Sequence, residues 1–293
     1  MKNHLVTESL ILWLTNQIEI ESYFMKDYRY NYNVIDGLIF DEDFLNAKTS
    51  IDKFLCSDGD IKNIFLDAGC EEDTRLTFED NLFHDELNHF LGSESYKNIT
   101  EYVSSLLESD EVFMFLPRVI ITVNRENVPN WILKKLLQKS NQSAVLTKYV
   151  KKKFRRCFFF LENPLHQDWI DLPDSHSDFL TCLIPLTKRD EYNAPLYIAK
   201  ENLTQSEKLI KPPFKSVKYT KDYTVFENYE QSRVKLQLER IVPNVGSTIF
   251  WGSRVFHEVR QNLGNEPVIN LRFNFSHKKK GLGLDDERNI FEF

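Results

Sequence analysis

The apolar positions of this chain recur at helical spacing in its first half and at strand spacing in its second. Residues 1–30 predict a helix that collects Leu5, Leu10, Leu12, Leu14 and Ile18 on one side. Tyr32–Phe40 reads as a strand and a turn. Asp41, Glu42 and Asp43 then open a helix through Leu55. Their carboxylates meet the positive end of the helix dipole, and Phe44, Ala47, Ile51 and Leu55 form its core stripe. Two further helices are expected over 78–92 and 94–108, the second carrying Tyr96, Ile99, Val103 and Leu107. The runs Val112–Phe115 and Val119–Val123 are β-branched and aromatic, which predicts two strands. Residues 130–152 return to helical spacing. They end in Lys151-Lys152-Lys153-Phe154-Arg155-Arg156, a basic run that suits a solvated helix end at the negative pole of the dipole.

From Cys157 the character changes to short β-type segments: Cys157–Leu161, Phe179–Leu186, Leu196–Ala199, Val234–Ile241, Thr248–Trp251 and Val268–Phe275. Turn signals such as Asn163-Pro164, Asn193-Ala194-Pro195 and Pro243-Asn244-Val245-Gly246 separate them. Helices followed by many short strands predict an α+β fold whose second half is a β-sandwich or jelly roll. With no internal repeat and no linker, one domain is expected over 1–293. Residues 1–150 make a mainly helical cover with an opening strand near 32–40, 151–276 the jelly-roll core and 277–293 a tail.

Composition narrows the class without naming a function. The 293 residues carry 37 Lys and Arg against 44 Asp and Glu, a net charge of −7, so there is no electrostatic footprint for nucleic acid. Hydrophobic residues at 42% and charged residues at 28% are those of a globular chain rather than a disordered one. Cys56, Cys70, Cys157 and Cys182 are far apart and form no CxxC pair, which argues against a zinc ribbon or disulfide framework and fits a reducing cytosol. The opening MKNHLVTESLILWL reads as a folded helix rather than a signal peptide, and no apolar run is long enough for a membrane span. A cytoplasmic protein with no membrane partner is the expectation.

Candidate chemistry sits at Pro164-Leu165-His166-Gln167-Asp168-Trp169. Residues i and i+2 of a strand share a face, so His166 and Asp168 project together as two thirds of a facial metal triad. The pattern alone is weak, because His176-Ser177-Asp178 repeats it ten residues on. A third ligand must come from another strand. His257 is placed for it, behind a turn (Pro243–Gly246) and a strand (Thr248–Trp251), although a hydrogen-bonded core histidine would occupy the same position.

Taken in order, His166-Gln167-Asp168-Trp169, Leu180–Leu186, Asn193-Ala194-Pro195-Leu196-Tyr197-Ile198 and Gly246–His257 resemble the phytanoyl-CoA dioxygenase family. That family comprises non-haem iron(II), 2-oxoglutarate-dependent oxygenases built on a double-stranded β-helix. The resemblance covers residues 157–276 well and Val34–Leu55 more weakly. It implies that His166, Asp168 and His257 bind iron(II), and that His176-Ser177-Asp178 belongs to a loop. It further implies 2-oxoglutarate and dioxygen as cosubstrates, with succinate and carbon dioxide released. Related halogenases have a small residue where this chain keeps Asp168, so hydroxylation of an aliphatic carbon is favoured over halogenation.

The far carboxylate of 2-oxoglutarate needs a cation. In Val268–Phe275 the even positions Asn270, Arg272 and Asn274 alternate with apolar odd ones, so all three are candidates for the cosubstrate pocket, with Arg272 as the carboxylate clamp. Arg260 and Arg156 are substitutes. Here the chain departs from the family, whose arginine lies around the position of Val268. Arg272 is two pleats further on, about 13 Å at ~3.3 Å per residue unless a bulge resets the register. A second departure is Ala194, where the family has glycine.

The segment 200–233 is expected as a long loop. Lys208, Lys211, Lys215, Lys218 and Lys221 lie close together in it, among Tyr219, Tyr223 and Tyr229. As a lid it would suit an anionic, small or carrier-linked substrate; as a solvated loop it would carry no such meaning. His84 and His89, five apart, do not share a helix face. Two rival functions remain open. One is a catalytically inactive jelly roll that binds metal or ligand, the other a cupin-like metalloenzyme that does not use 2-oxoglutarate.

Overall fold

The structure is a computed structural model and describes residues 32–70, 84–137, 145–168, 179–199, 216–219, 224–227, 233–277 and 290–292. The expected helix over 1–30, Trp169, His176-Ser177-Asp178 and most of the 200–233 segment, including Lys208, Lys211, Lys215, Lys221, Tyr223 and Tyr229, lie outside the described residues. The elements are β1 (Tyr32–Ile35), α1 (Asp41–Leu55), α2 (His84–Leu91), α3 (Glu94–Leu107), β2 (Phe113–Thr122), α4 (Asn130–Leu137), β3 (Cys157–Phe160) and β4 (Asn163–His166). They continue with β5 (Leu180–Pro185), β6 (Leu196–Ala199), β7 (Ser216–Tyr219), β8 (Thr224–Glu227), β9 (Arg233–Leu236), β10 (Leu238–Ile241), β11 (Thr248–Gly252), β12 (His257–Val259), β13 (Val268–Ser276) and β14 (Ile290–Glu292). No helix among the described residues is long and apolar enough to cross a membrane.

The fold is α+β with two principal sheets. A seven-stranded sheet has the order β1-β11-β5-β13-β2-β14, with β3 added beside β2, and a four-stranded sheet has the order β10-β6-β12-β4. The strands pair antiparallel except β2 with β3. The two sheets face each other through a small core in which Leu183, Ile249 and Trp251 of the large sheet meet Leu196, Ile198 and Ile241 of the small one.

The helices cover the other face of the large sheet. The α1 stripe buries Ala47, Ile51 and Leu55, and α3 buries Tyr96, Ile99, Val103, Leu106 and Leu107. The two helices start together, because Asp43 Oδ2 accepts from the Ser95 hydroxyl at 2.6 Å and the Ser95 oxygen accepts from Phe40 N at 2.8 Å. Ser93 caps α3 by accepting from Tyr96 N. Against the sheet, Phe90 stacks on Phe273 with ring centroids 6.0 Å apart, and Tyr96 meets Phe273 edge-on at 5.8 Å.

Several expectations are corrected. The two runs around Pro117 form a single strand, β2, and two of its residues, Leu116 and Pro117, oppose only Phe273 on β13. A proline is tolerated at such a bulge because no ladder donor is needed there. Of the helix predicted over 130–152, the described residues hold α4 and, at its far end, a 3₁₀ turn over Thr147–Tyr149; the basic run is a 3₁₀ turn over Lys152–Arg156 that buries Phe154 and Arg155 rather than a solvated helix end. Val234–Ile241 divides at Gln237 into β9 and β10, which belong to different sheets. Within the 200–233 segment, expected as a long loop, β7 and β8 form strands that join β9 in a three-stranded antiparallel sheet.

Phe273→Ala should lower the unfolding free energy by about 3–5 kcal/mol, the range for truncating a buried phenylalanine. Urea unfolding measures this. A loss below ~1 kcal/mol would mean that the helices are not seated on β13.

Candidate metal centre

The site forms where β4 and β12 of the small sheet face β5, β11 and β13 of the large one. His166 ends β4 and pairs in register with His257, which begins β12. Asp168 lies two residues past His166 and is 0% exposed, and both histidines are buried. His166 Nε2 and His257 Nε2 are each 3.5 Å from Asp168 Oδ1. The three ligand atoms lie within 4.8 Å of one another, the one such group of three among the described residues searched.

The surroundings aim these atoms. His166 Nδ1 is 2.8 Å from the Pro164 carbonyl oxygen and His257 Nδ1 is 3.1 Å from that of Val255. A carbonyl only accepts, so each Nδ1 carries a proton, and each Nε2 is the ring nitrogen that faces Asp168. Burial lowers the His257 pKa despite the opposing Asp168 charge, which favours the neutral imidazole. Asp168 Oδ2 accepts from the Thr181 hydroxyl at 2.6 Å and from the Trp251 indole at 2.8 Å. Its other oxygen accepts no well-directed hydrogen bond, although Arg272 Nη2 stands 2.8 Å from it. Burial alone would raise the Asp168 carboxyl; the Arg272 charge and the two histidines outweigh it and hold the group well below the usual carboxylate range.

Three ligand atoms therefore converge in a buried place, two imidazole nitrogens and one oxygen of an ionised carboxylate. That is the donor set of a divalent transition metal with open positions left over. Backbone carbonyls fix the imidazoles and a hydroxyl and an indole fix the carboxylate, which is how ligands are oriented from behind. The residues fit the metal.

Of the other candidates, Asn270, Arg272 and Asn274 are buried on β13, while the odd residues Ile269, Leu271, Phe273 and Phe275 enter the core beneath the helices. The three polar side chains meet different partners. Asn274 stands 3.1 Å from the Thr181 hydroxyl, Arg272 reaches Asp168, and Asn270 Oδ1 accepts from Arg189 Nε at 3.2 Å. Arg260 lies over the Tyr197 ring and pairs with Glu258. Ala194 adopts φ +46°, the left-handed region, so it keeps a backbone shape that favours glycine. The side chains of His84, Lys218 and Tyr219 lie outside the described residues, and His89 is exposed.

Thr181, Trp251 and Arg189 were missed by sequence reasoning. A signal for the first two was present. Thr181 is the only hydroxyl in the buried run LTCLIP, and it pairs in register with Trp251 on one side and Asn274 on the other.

No protein-family model matches the chain, and no curated protein sequence does. Solved structures do match in fold. The non-heme monooxygenase ThoJ in its apo form is similar with a TM-score of 0.51 and 9% identity, over 85% of this chain and 75% of that one. EvdO2 from Micromonospora carbonacea var. aurantiaca, complexed with 2-oxoglutarate, is similar with a TM-score of 0.50 and 12% identity, over 86% and 88%. At these identities the likeness is one of fold: the chain shares their two-sheet α+β architecture.

The ion pair yields a stability test in metal-chelated protein. Asp168→Ala leaves Arg272 buried without its carboxylate and should cost about 3–5 kcal/mol, most of which returns when Arg272→Met is added. Because the folded Asp168 pKa is depressed, its charge stabilises above an ordinary carboxylate pKa of about 3.9, and that stability is lost as the pH falls through the folded value. The double variant should therefore show the shallower acid limb in urea titrations. Additive losses from the two substitutions would contradict the pairing.

Proposed function

We propose that this protein is an iron(II)- and 2-oxoglutarate-dependent oxygenase that hydroxylates an aliphatic carbon of a small or carrier-linked molecule. The observation that carries this reading is the convergence of His166 Nε2, Asp168 Oδ1 and His257 Nε2 in a buried space between two sheets. The strand order supports it. The run β11-β5-β13-β2 faces β10-β6-β12-β4, as a double-stranded β-helix requires, with His166 and His257 on adjacent strands of the smaller sheet and Asp168 just past the first. EvdO2, whose fold the chain shares, binds 2-oxoglutarate.

When bound, the iron and its 2-oxo acid would supply the oxidising chemistry, by which a substrate C–H, 2-oxoglutarate and dioxygen give the hydroxylated substrate, succinate and carbon dioxide. The chain's own residues do the rest. His166 and His257 contribute neutral donors and Asp168 one negative charge, so a divalent ion keeps a net positive charge that attracts an anionic cosubstrate. Thr181 and Trp251 hold the carboxylate still from behind. The Asn163 amide, 3.2 Å from His166 Nε2, has to yield that lone pair to the ion. Burial of all three ligands keeps water from the reacting atoms. Arg272, with Asn270 and Asn274 beside it on β13, is the cation that the sequence offers to the cosubstrate pocket, and the Lys-rich 200–233 segment suits an anionic substrate.

One observation favours a second reading. Arg272 Nη2 already sits 2.8 Å from the ligand oxygen of Asp168, so a guanidinium could neutralise the site in a protein that binds ligands without turnover. Succinate release separates the two. With iron(II), 2-oxoglutarate and dioxygen but no added substrate, the wild-type protein should form succinate slowly, and Asp168→Ala and His257→Ala should lose at least ~100-fold. Wild-type protein that forms none above a metal-free control would leave the binding-module reading in place.

A further inference from the structure

Arg189 is a buried ionisable group that the metal centre leaves unexplained. It is 2% exposed and makes two hydrogen bonds, from Nε to Asn270 Oδ1 at 3.2 Å and from Nη1 to the Ala194 carbonyl at 2.6 Å. Both acceptors are neutral. Among the described residues no carboxylate pairs with it. Burial lowers its pKa to about 10, so it remains a cation at neutral pH. A buried guanidinium without a counter-charge is costly, and a site that keeps one is built to receive an anion.

Its position follows from the strands. After β5 the chain runs beside the start of β13: Leu186 N donates to the Ile269 carbonyl at 2.9 Å, and Ile269 N donates to the Thr187 hydroxyl at 2.8 Å. Arg189 therefore lies just past the start of β13, and its side chain reaches back to Asn270 on the polar face of that strand. Arg272, the next residue on that face, contacts Asp168. Consecutive residues of one face are about 6.6 Å apart along a strand. The carboxyl carbons of a five-carbon dicarboxylic acid are separated by four C–C bonds of about 1.5 Å each. A dicarboxylate with one end at the metal ligands thus extends along this face toward Asn270 and Arg189.

We propose that Arg189 anchors the remote carboxylate of a 2-oxo dicarboxylate whose other end lies at the His166–Asp168–His257 site, while Arg272 serves Asp168. The assignment rests on the cosubstrate reading above and moves the clamp from β13 to the segment after β5. The unused face of the Arg189 guanidinium matches a carboxylate, and its two neutral acceptors hold the fork in place. A 2-oxo monoacid makes no use of this anchor, so Arg189 sets the preference for dicarboxylates.

The test uses full-length protein loaded with manganese(II) and measures binding of 2-oxoglutarate and of pyruvate by calorimetry. The wild type is expected to prefer 2-oxoglutarate strongly. Arg189→Met should weaken 2-oxoglutarate roughly 10–100-fold, the loss expected for charge-assisted hydrogen bonds, and leave pyruvate and manganese binding within threefold. Arg189→Lys keeps the charge but not the fork and should fall between; it takes over the test if Arg189→Met does not fold. Unchanged discrimination, equal loss of both acids, or collapse of the preference in Arg272→Met alone would each overturn the assignment. Wild-type protein that binds manganese but neither acid overturns the oxygenase reading itself, which distinguishes that failure from a failure of Arg189.

Discussion

A carboxylate with no exposure to solvent organises this molecule. Asp168 must be ionised to bind a metal, and an ionised group in a dry interior is tolerated only when its surroundings answer the charge. Thr181 and Trp251 answer one oxygen by hydrogen bonding, while Arg272 and the two histidines converge on the other. Those partners come from β4, β5, β11, β12 and β13. The two sheets must therefore face each other in one register for the charge to be carried at all.

The strand β13 shows how that register is held. All nine of its residues are buried, which for a strand means that both faces are covered. Its odd residues pack under the helices, with Phe273 against Phe90 and Tyr96, and its even residues carry amides and a guanidinium into the space between the sheets. A slip of one residue would bury Arg272 among aromatic rings and turn Phe273 toward the ligands. Apolar packing on one side thus fixes the polar geometry on the other.

Much of this was legible in the sequence. The stripes of α1 and α3 fell at the expected positions, because a 3.6-residue period survives whatever the helix packs against. Alternation in Val268–Phe275 separated the polar from the apolar face of β13. The spacing of His166 and Asp168 brought the two together, although β4 ends at His166 and Asp168 lies two residues past it rather than on the strand, and the turn and strand before His257 placed it at the start of β12. What escaped was set by partners distant in sequence. The bulge that joins two runs into β2 depends on Phe273, more than 150 residues later. The basic run at 152–156 reads as a helix end locally, yet Phe154 is pulled into the core and Arg155 is buried with it. Arg189 carries no local pattern, and only its burial beside Asn270 makes it visible.

The central claim is that the triad holds a metal on which a 2-oxo acid can chelate. Its most direct measurement is the visible spectrum of the protein after anaerobic addition of iron(II) and then 2-oxoglutarate. A charge-transfer band that develops with 2-oxoglutarate, saturates with one iron per chain and vanishes in His257→Ala is the expected result. Iron bound at the triad with no band at saturating 2-oxoglutarate would contradict the claim.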